Sequence, residues 1–142
     1  MIRYSSVLTI ARPPHEVFEA LLDPGRYGQW TDMVDMSFDS PDRPHVGTRG
    51  QFRLAKGPIK GMLDLELTKL EPDRRVDFRI THPSLDWNSV SALEPAGTGT
   101  QLTYAGEIRL RGWRRLLEPF VAGEVSRGEA AEAQRLKEIL EA

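Results

Sequence analysis

The chain has no cysteine, only three histidines and no long apolar run. The missing cysteines exclude a disulfide scaffold, a thiol nucleophile and zinc held by thiolates, and they are compatible with a reducing compartment. A membrane-spanning helix needs about 20 apolar residues in succession, and the sequence offers none. The N-terminus also lacks the basic and apolar regions of a secretory signal. We therefore expect a soluble, cytoplasmic protein.

Strong charge of either sign is also missing, since the net charge is −2 at pH 7. This balance gives no general attraction to nucleic acid, so we predict no nucleic-acid partner. His15, His45 and His82 fall in different predicted elements without metal-ligand spacing, and we predict neither a metal nor a cofactor. The 142 residues match a single domain spanning residues 1–142.

Alternation of apolar and polar residues is the clearest pattern that is present, and it predicts antiparallel strands joined by short turns. The predicted strands are residues 2–11, 33–38, 50–55 and four alternating runs around Leu65, Phe78, Ser89 and Tyr104. The stretch Glu94-Pro95-Ala96-Gly97 is interpreted as a turn between the last two strands.

Helical periodicity occurs in two places. After the first strand, Pro14 starts a short helix with Val17, Phe18, Leu21 and Leu22 on one face, and a second short turn covers residues 25–29. Residues 113–140 form a long amphipathic segment. With Leu117 as the reference, one side carries Val121, Glu124, Val125, Gly128, Ala131, Leu136 and Ile139, and the other carries Ser126, Glu129, Lys137, Glu138 and Glu141. The small side chains at 128 and 131 predict either a close approach to the sheet or a space beneath the helix.

One strand, two short helices, six strands and a long helix make an α+β fold. Several short motifs then resemble the START-like superfamily, also called SRPBCC, near its polyketide cyclase/dehydrase branch. They are Ile10-Ala11-Arg12-Pro13-Pro14-His15-Glu16-Val17-Phe18, Leu22-Asp23-Pro24, Trp30, Val46-Gly47-Thr48, Leu93-Glu94-Pro95 and Gly99-Thr100. The resemblance implies the helix-grip fold, a curved antiparallel sheet of about seven strands wrapped around the long C-terminal helix with a hydrophobic cavity between them. It implies no shared catalytic set.

The apolar faces of these elements define a candidate ligand site. The predicted walls and polar anchors are Phe52, Phe78, Trp87, Ser89, Ser91, Tyr104, Leu117, Phe120, Val121 and Glu124. The alternative is that the two serines lie near a strand end in water and that Tyr104 is a core tyrosine with a satisfied hydroxyl.

Three residues are candidates for catalysis. Glu124 would have a raised pKa in an apolar setting and could act as acid, base or anchor, unless Pro119 kinks the helix and turns Glu124 to solvent or an arginine neutralises it. Tyr104 could transfer a proton. His82 follows Thr81 at a strand end, where an exposed loop position is the alternative.

A cluster of arginines precedes the long helix. Arg109, Arg111, Arg114 and Arg115 flank Trp113, and together they could make a weak contact with an acidic membrane surface. The alternative is a solvated edge in which Glu107 and Glu118 neutralise the arginines. The oligomeric state does not follow from the sequence.

Three functions remain open at this point. The first is a carrier or sensor that binds a lipid, isoprenoid or polyketide-like molecule in the cavity. The second is a cyclase or dehydratase that uses Glu124 or Tyr104. The third is a protein-interaction module, which predicts a filled core and an exposed apolar patch.

Overall fold

The computed structural model describes residues 1–142, and a seven-stranded antiparallel sheet is its largest element. The strands are β1 (Ile2–Ile10), β2 (Met33–Phe38), β3 (Arg49–Leu54), β4 (Met62–Glu71), β5 (Arg75–His82), β6 (Leu85–Ala96) and β7 (Gly99–Leu110). Their spatial order is β1-β7-β6-β5-β4-β3-β2, so β2 to β7 form a meander and β1 pairs with the outer side of β7. The predicted antiparallel meander is confirmed.

Two α-helices and two 3₁₀ segments complete the fold. They are α1 (Pro14–Leu22), a 3₁₀ segment (Pro24–Gln29), a second 3₁₀ segment (Gly112–Leu117) and α2 (Glu118–Glu141). Pro14 suits the first turn of α1, where a backbone N–H has no partner within the helix. The Asp23 carboxylate accepts a hydrogen bond from the Gly25 N–H at 3.1 Å, and this bond starts the first 3₁₀ segment. The helix-grip arrangement expected from the resemblance is confirmed.

One hydrophobic core lies between the sheet and the helices. The predicted apolar face of α1 is buried, as are the alternating leucines of β4. They are Val17, Phe18, Leu21 and Leu22 on α1 and Leu63, Leu65 and Leu67 on β4. The alternation of these strands therefore separates a core face from a solvent face, as period-two patterns do.

Strand β6 runs further than predicted. Glu94, Pro95 and Ala96 pair with β7 and belong to the strand, and of the four residues interpreted as a turn only Gly97 lies in one. The pairing of β6 with β5 ends at Ala92. Beyond this point β6 has a neighbour on one side only, and the missing N–H of Pro95 leaves no hydrogen bond unmade.

Pro119 does not kink the long helix. It is the second residue of α2 and lies in the first turn, where its missing N–H removes no helical hydrogen bond. The α-helical part of the predicted segment accordingly begins at Glu118.

The buried face of α2 differs from the predicted face. Its buried residues are Glu118, Glu129, Glu132, Ala133 and Leu136, whereas Glu124, Gly128 and Ala131 are exposed. The prediction used Leu117 as the reference, but Leu117 belongs to the 3₁₀ segment. Because a 3₁₀ helix has 3.0 residues per turn and an α-helix 3.6, the phase of the segment is not that of α2. Gly128 and Ala131 therefore neither approach the sheet closely nor leave a space beneath the helix, and both alternatives predicted for them are wrong. In addition, none of the helices combines the length and the apolar composition that a membrane-spanning helix needs.

Gly128 supplies a direct test of this corrected orientation. A Cβ atom at Gly128 would meet nothing within 4 Å. We expect Gly128→Ala to raise the free energy of unfolding by about 0.5–1 kcal/mol, because alanine favours a helix interior and loses less backbone entropy on folding. Chemical denaturation measures this change. Gly106→Ala is the matched control and should destabilise, since its Cβ would collide with the Tyr4 hydroxyl and the Asn88 carbonyl. A destabilised Gly128→Ala variant would contradict the orientation of α2.

Candidate functional site

Two glutamates lie side by side on the buried face of α2. Glu129 and Glu132 are each 8% exposed. Residues three apart in a helix share one face, so the two carboxyl groups are neighbours. A buried pair of acidic groups is costly and is rarely found without a structural or chemical reason.

Aromatic side chains surround this carboxyl pair. The Tyr104 hydroxyl donates a hydrogen bond to Glu132 Oε2 at 3.3 Å. The rings of Trp30 and Tyr104 are 5.8 Å apart, and those of Tyr27 and Trp30 are 4.9 Å apart. The carboxyl groups therefore lie in a region of low polarity with few hydrogen-bond donors.

Tyr4 closes the site from β1. Its hydroxyl accepts a hydrogen bond from Trp87 Nε1 at 2.9 Å, and its ring centroid lies 6.2 Å from that of Tyr104. The register pairs Tyr4 with Gly106, and the Tyr4 side chain occupies the space that a Cβ at Gly106 would fill. The glycine is required here for close approach, since any larger residue would displace Tyr4.

Two buried polar atoms of the site have no hydrogen-bond partner in the protein. They are Glu129 Oε2, an acceptor when ionised, and Trp30 Nε1, a donor. Nearly all buried polar groups of folded proteins are paired, so each unpaired atom is a place where a further molecule could bind. The site thus offers an unused carboxyl oxygen and an unused N–H.

Burial changes the protonation of the pair. Desolvation, followed by the charge of Glu132, raises the pKa of Glu129 from 4.5 to about 9. Desolvation also raises the pKa of Glu132, which is opposed by hydrogen bonds from Glu129 and from the Asp32 backbone. Around neutral pH the pair therefore holds a proton that Glu129 and Glu132 share by hydrogen bonding.

The remaining charged neighbours act in opposite directions. The Asp32 carboxylate raises the pKa of both glutamates, and the Arg135 guanidinium lowers the pKa of Glu132. Arg135 Nε also donates a hydrogen bond to the Trp30 carbonyl at 3.1 Å and so ties α2 to the first 3₁₀ segment. Tyr104 stays a neutral donor, because desolvation and the two glutamates raise the pKa of its hydroxyl well above the ordinary value.

An internal space of about 20 Å³ adjoins the ring of Tyr104, whose hydroxyl reaches Glu132. It is lined by Tyr27, Met33, Met36, Phe52, Leu65, Phe78, Ile80, Ser89, Ser91 and Tyr104. A space of this size holds about one water molecule. The interior is therefore nearly filled when no ligand is bound.

The structure brings together one part of the predicted site. The predicted residues Phe52, Phe78, Ser89, Ser91 and Tyr104 all line the internal space. Trp87 is buried beside them and contacts Tyr4. These residues come from the meander strands, whose inward faces follow directly from the alternation of the sequence.

The other predicted residues lie elsewhere, and their placement is a correction. Leu117 and Phe120 are 40% and 82% exposed, Glu124 is exposed and Val121 is only half-buried. All four precede the part of α2 that covers the site. The prediction placed Glu124 inward because it counted the helical phase from Leu117. Leu117 belongs to the 3₁₀ segment, whose phase differs from that of α2.

His82 is engaged in structural hydrogen bonds. Its Nε2 lies 2.8 Å from the Lys60 carbonyl, and its Nδ1 accepts a hydrogen bond from the Ser84 N–H at 3.0 Å. These bonds describe a neutral imidazole that holds the chain after β3 against the turn between β5 and β6. The predicted strand-end position of His82 is correct, but both ring nitrogens already have partners.

Sequence reasoning missed five members of the site, namely Tyr4, Tyr27, Trp30, Glu129 and Glu132. A signal for Glu132 existed, because on the same helical wheel it falls between Ile139 and Leu136, both apolar. Glu129 was assigned to the outer face. Tyr27 lies in the first 3₁₀ segment and Trp30 directly follows it, and apolar periodicity gives little guidance for such a segment.

The arrangement can bind a polar group and move a proton. A carboxylic acid that is held protonated beside a second carboxyl group can donate a proton, and the pair can accept one within the same pocket. The structure groups no three side chains of the types that hold metal ions. The carboxyl groups and hydroxyls of the site supply hydrogen bonding and proton transfer.

A family model and several solved structures match this chain. Residues 1–141 match the family model described as polyketide cyclase/dehydrase and lipid transport. The chain belongs to this family. The match confirms the resemblance drawn from the sequence motifs. No protein with a curated description matches the chain.

Solved structures of other proteins show the same fold. TTHA0849 from Thermus thermophilus is 16% identical with a TM-score of 0.76, over 97% of this chain and 96% of that one. The Aha1 dimer from Colwellia psychrerythraea is 19% identical with a TM-score of 0.72, over 99% and 97%. DynU16, a putative protein in the dynemicin biosynthetic locus, is 21% identical with a TM-score of 0.73. All of this chain matches 48% of DynU16. At these identities the likeness establishes the fold.

The raised pKa of Glu129 predicts a particular pH dependence. The folded protein binds this proton more tightly than the unfolded chain, so its contribution to stability is complete below pH 4.5 and is lost as the pH rises towards 9. We expect Glu129→Gln to be more stable than the parent protein at pH 8–9, with the difference shrinking towards pH 5. One proton gives a slope of at most about 1.4 kcal/mol per pH unit.

Urea unfolding at several pH values measures this difference. Glu124→Gln is the matched control, because Glu124 is an exposed glutamate of the same helix. A Glu129→Gln variant whose stability parallels that of the parent at every pH would show that Glu129 is ionised normally.

Proposed function

We propose that this protein binds a mostly apolar small molecule between the sheet and α2 and holds the polar group of that molecule at the Glu129–Glu132 carboxyl pair. The observation that carries the proposal is the unpaired Glu129 Oε2, buried at the polar end of an aromatic interior. The family description, which names lipid transport, agrees with an apolar ligand.

The two unpaired atoms suggest the kind of polar group. Glu129 Oε2 and Trp30 Nε1 are an oxygen and an N–H without partners. A hydroxyl group can donate one hydrogen bond and accept another, so an alcohol, phenol or enol suits either atom. Leaving either atom unpaired costs about 1–3 kcal/mol. That cost would be recovered on binding.

Ligand entry requires the internal space to widen beyond its present 20 Å³. Met33 and Met36 of β2 line this space. Methionine side chains are unbranched and adapt easily to a new shape. Strand β2 is also at the edge of the sheet and has an irregular register between Val34 and Ser37. We propose that β2 is the wall that yields to the ligand.

A matched pair of probes tests the anchor. Decanol and decyl methyl ether have similar apolar chains, but only decanol can donate a hydrogen bond. We expect decanol to bind about tenfold more tightly, which corresponds to one buried hydrogen bond of about 1.4 kcal/mol. Titration followed by tryptophan fluorescence measures both affinities.

Two variants test whether the preference for decanol arises at the Glu129–Glu132 carboxyl pair. Glu129→Leu should abolish the preference for decanol, whereas Glu124→Leu should keep it. Equal affinities of the two probes for the parent protein would remove the carboxyl pair as anchor. Failure of both probes to bind, together with no ligand in native mass spectra of protein purified from cells, would favour a filled core and an interaction module.

Catalysis is the second candidate function, and the carboxyl pair itself favours it. An acid with a pKa of about 9 beside a second carboxyl group resembles the acid–base pairs that enzymes use at neutral pH. In such a cyclase or dehydratase, Glu129 would protonate an oxygen of the substrate and Glu132 would take a proton from carbon or oxygen. Glu124, which is exposed, would have no part in the reaction.

The enzyme hypothesis makes its own prediction. For any substrate whose turnover is established, Glu129→Gln and Glu132→Gln should each lower kcat by at least about a hundredfold while leaving binding within a few-fold, because removal of an acid–base group affects the transition state. Rapid-quench kinetics separate the two effects. Unchanged kcat in both variants would exclude Glu129 and Glu132 as the acid and base of the reaction.

A further inference from the structure

Large apolar side chains are concentrated at the start of α2. Of the eight exposed large hydrophobic residues of the chain, four lie between positions 113 and 120. They are Trp113, Leu116, Leu117 and Phe120, with exposures of 67%, 76%, 40% and 82%. Single exposed apolar residues are common, but a contiguous group marks an interaction surface.

The four side chains lie within eight residues, on the 3₁₀ segment and the first turn of α2. Trp113 and Leu116 are three apart in the 3₁₀ segment and so share one face of it. The 3₁₀ segment Gly112–Leu117 has no buried residue, so the domain itself does not cover this face. We call the four residues the apolar ridge.

Positive charge accompanies the apolar ridge. Arg109, Arg111, Arg114 and Arg115 lie within seven residues, although the whole chain carries a net charge of −2. Among the four, Arg111 is held in an ion pair, with Asp86 at 2.6 Å. The Arg114 guanidinium lies over the Trp113 ring at 5.0 Å.

The acidic residues expected to neutralise these arginines have other partners. Glu107 pairs with Arg3 at 3.2 Å. Glu118 is turned inward, where its Oε2 accepts a hydrogen bond from the Leu110 N–H at 2.8 Å. The ridge and the arginines therefore present an apolar, cationic surface to solvent.

We propose that the apolar ridge docks on an anionic lipid bilayer. Leucine, phenylalanine and tryptophan side chains would enter the boundary between head groups and acyl chains, and Arg114 and Arg115 would contact the acidic head groups. Arginine and tryptophan side by side suit this boundary, because each has an apolar body and a polar end.

A second copy of the chain fits the surface less well. In a two-fold symmetric dimer the same patch of both subunits meets itself. Contact through the ridge would then bring the arginines of one subunit near those of the other. An anionic bilayer complements both the apolar and the charged part of the surface at once.

Docking would also place the candidate ligand site near the bilayer. Val121 and Val125 follow the ridge on α2 and are half-buried against the core. The helix that contacts the lipid would therefore be the helix that carries Glu129 and Glu132. The docking itself does not depend on whether that space takes a ligand.

Vesicle binding tests the proposal. We expect the protein to co-sediment with phosphatidylcholine vesicles that contain about one-third phosphatidylserine, and not with pure phosphatidylcholine vesicles. Binding should weaken as salt rises from about 50 to about 500 mM. Trp30 and Trp87 are buried and Trp113 is exposed. A blue shift of the tryptophan emission on binding therefore reports Trp113.

Matched variants locate the contact. Phe120→Ala should weaken vesicle binding about tenfold, and Arg114→Gln and Arg115→Gln about fivefold each. Val46→Ala and Arg74→Gln change similarly exposed residues elsewhere and should bind like the parent. Glu129→Leu should also bind vesicles normally, which separates this proposal from the proposed ligand site.

Three outcomes would overturn the proposal. The first is no binding to the anionic vesicles. The second is binding that Phe120→Ala and the arginine variants leave unchanged while their thermal unfolding matches the parent. The third is a dimer in sedimentation velocity that Phe120→Ala dissociates, which would make a second copy the occupant of the ridge.

Discussion

The burial of two carboxyl groups beneath α2 is the constraint on which the site depends. A helix that packs Ala133 and Leu136 against the sheet must also turn Glu129 and Glu132 inward, because these positions lie on one face. Bulk water cannot then hydrate either carboxylate, so one carboxyl group of the pair stays protonated and neighbouring groups donate hydrogen bonds to the pair. Tyr104 and the Asp32 backbone, which precedes β2, are placed where they donate such bonds to Glu132.

The interior has a polar end and an apolar end, and Tyr104 belongs to both. Its ring borders the internal space of β3 to β6, while its hydroxyl reaches Glu132. A ligand oriented by such an interior would be held at one end by hydrogen bonds and along its length by shape. Orientation of this kind serves a carrier as well as an enzyme, which explains how one family can include both.

The sequence was sufficient to predict the sheet, but it did not predict which face of the long helix is buried. Alternation in β4 to β7 places Phe78, Ser89 and Tyr104 correctly, since a period of two cannot drift along a strand. The phase of a helix depends on where the helix begins, and Leu117 was a misleading reference. Glutamates such as Glu129 are also assigned to solvent by any rule based on hydrophobicity, and only tertiary packing shows otherwise.

The last turns of α2 have a consequence for the behaviour of the protein in concentrated solution. Lys137 Nζ donates a hydrogen bond to the Thr9 carbonyl at 2.6 Å, and Glu141 Oε2 accepts one from the Ala11 N–H at 2.7 Å. Both groups lie at the end of β1, one margin of the open sheet. At the other margin, β2 is short and has Asp35 at a φ of 54°. The end of β1 and the irregular β2 are therefore poor templates for a strand from another molecule, which disfavours growth of the sheet into polymers.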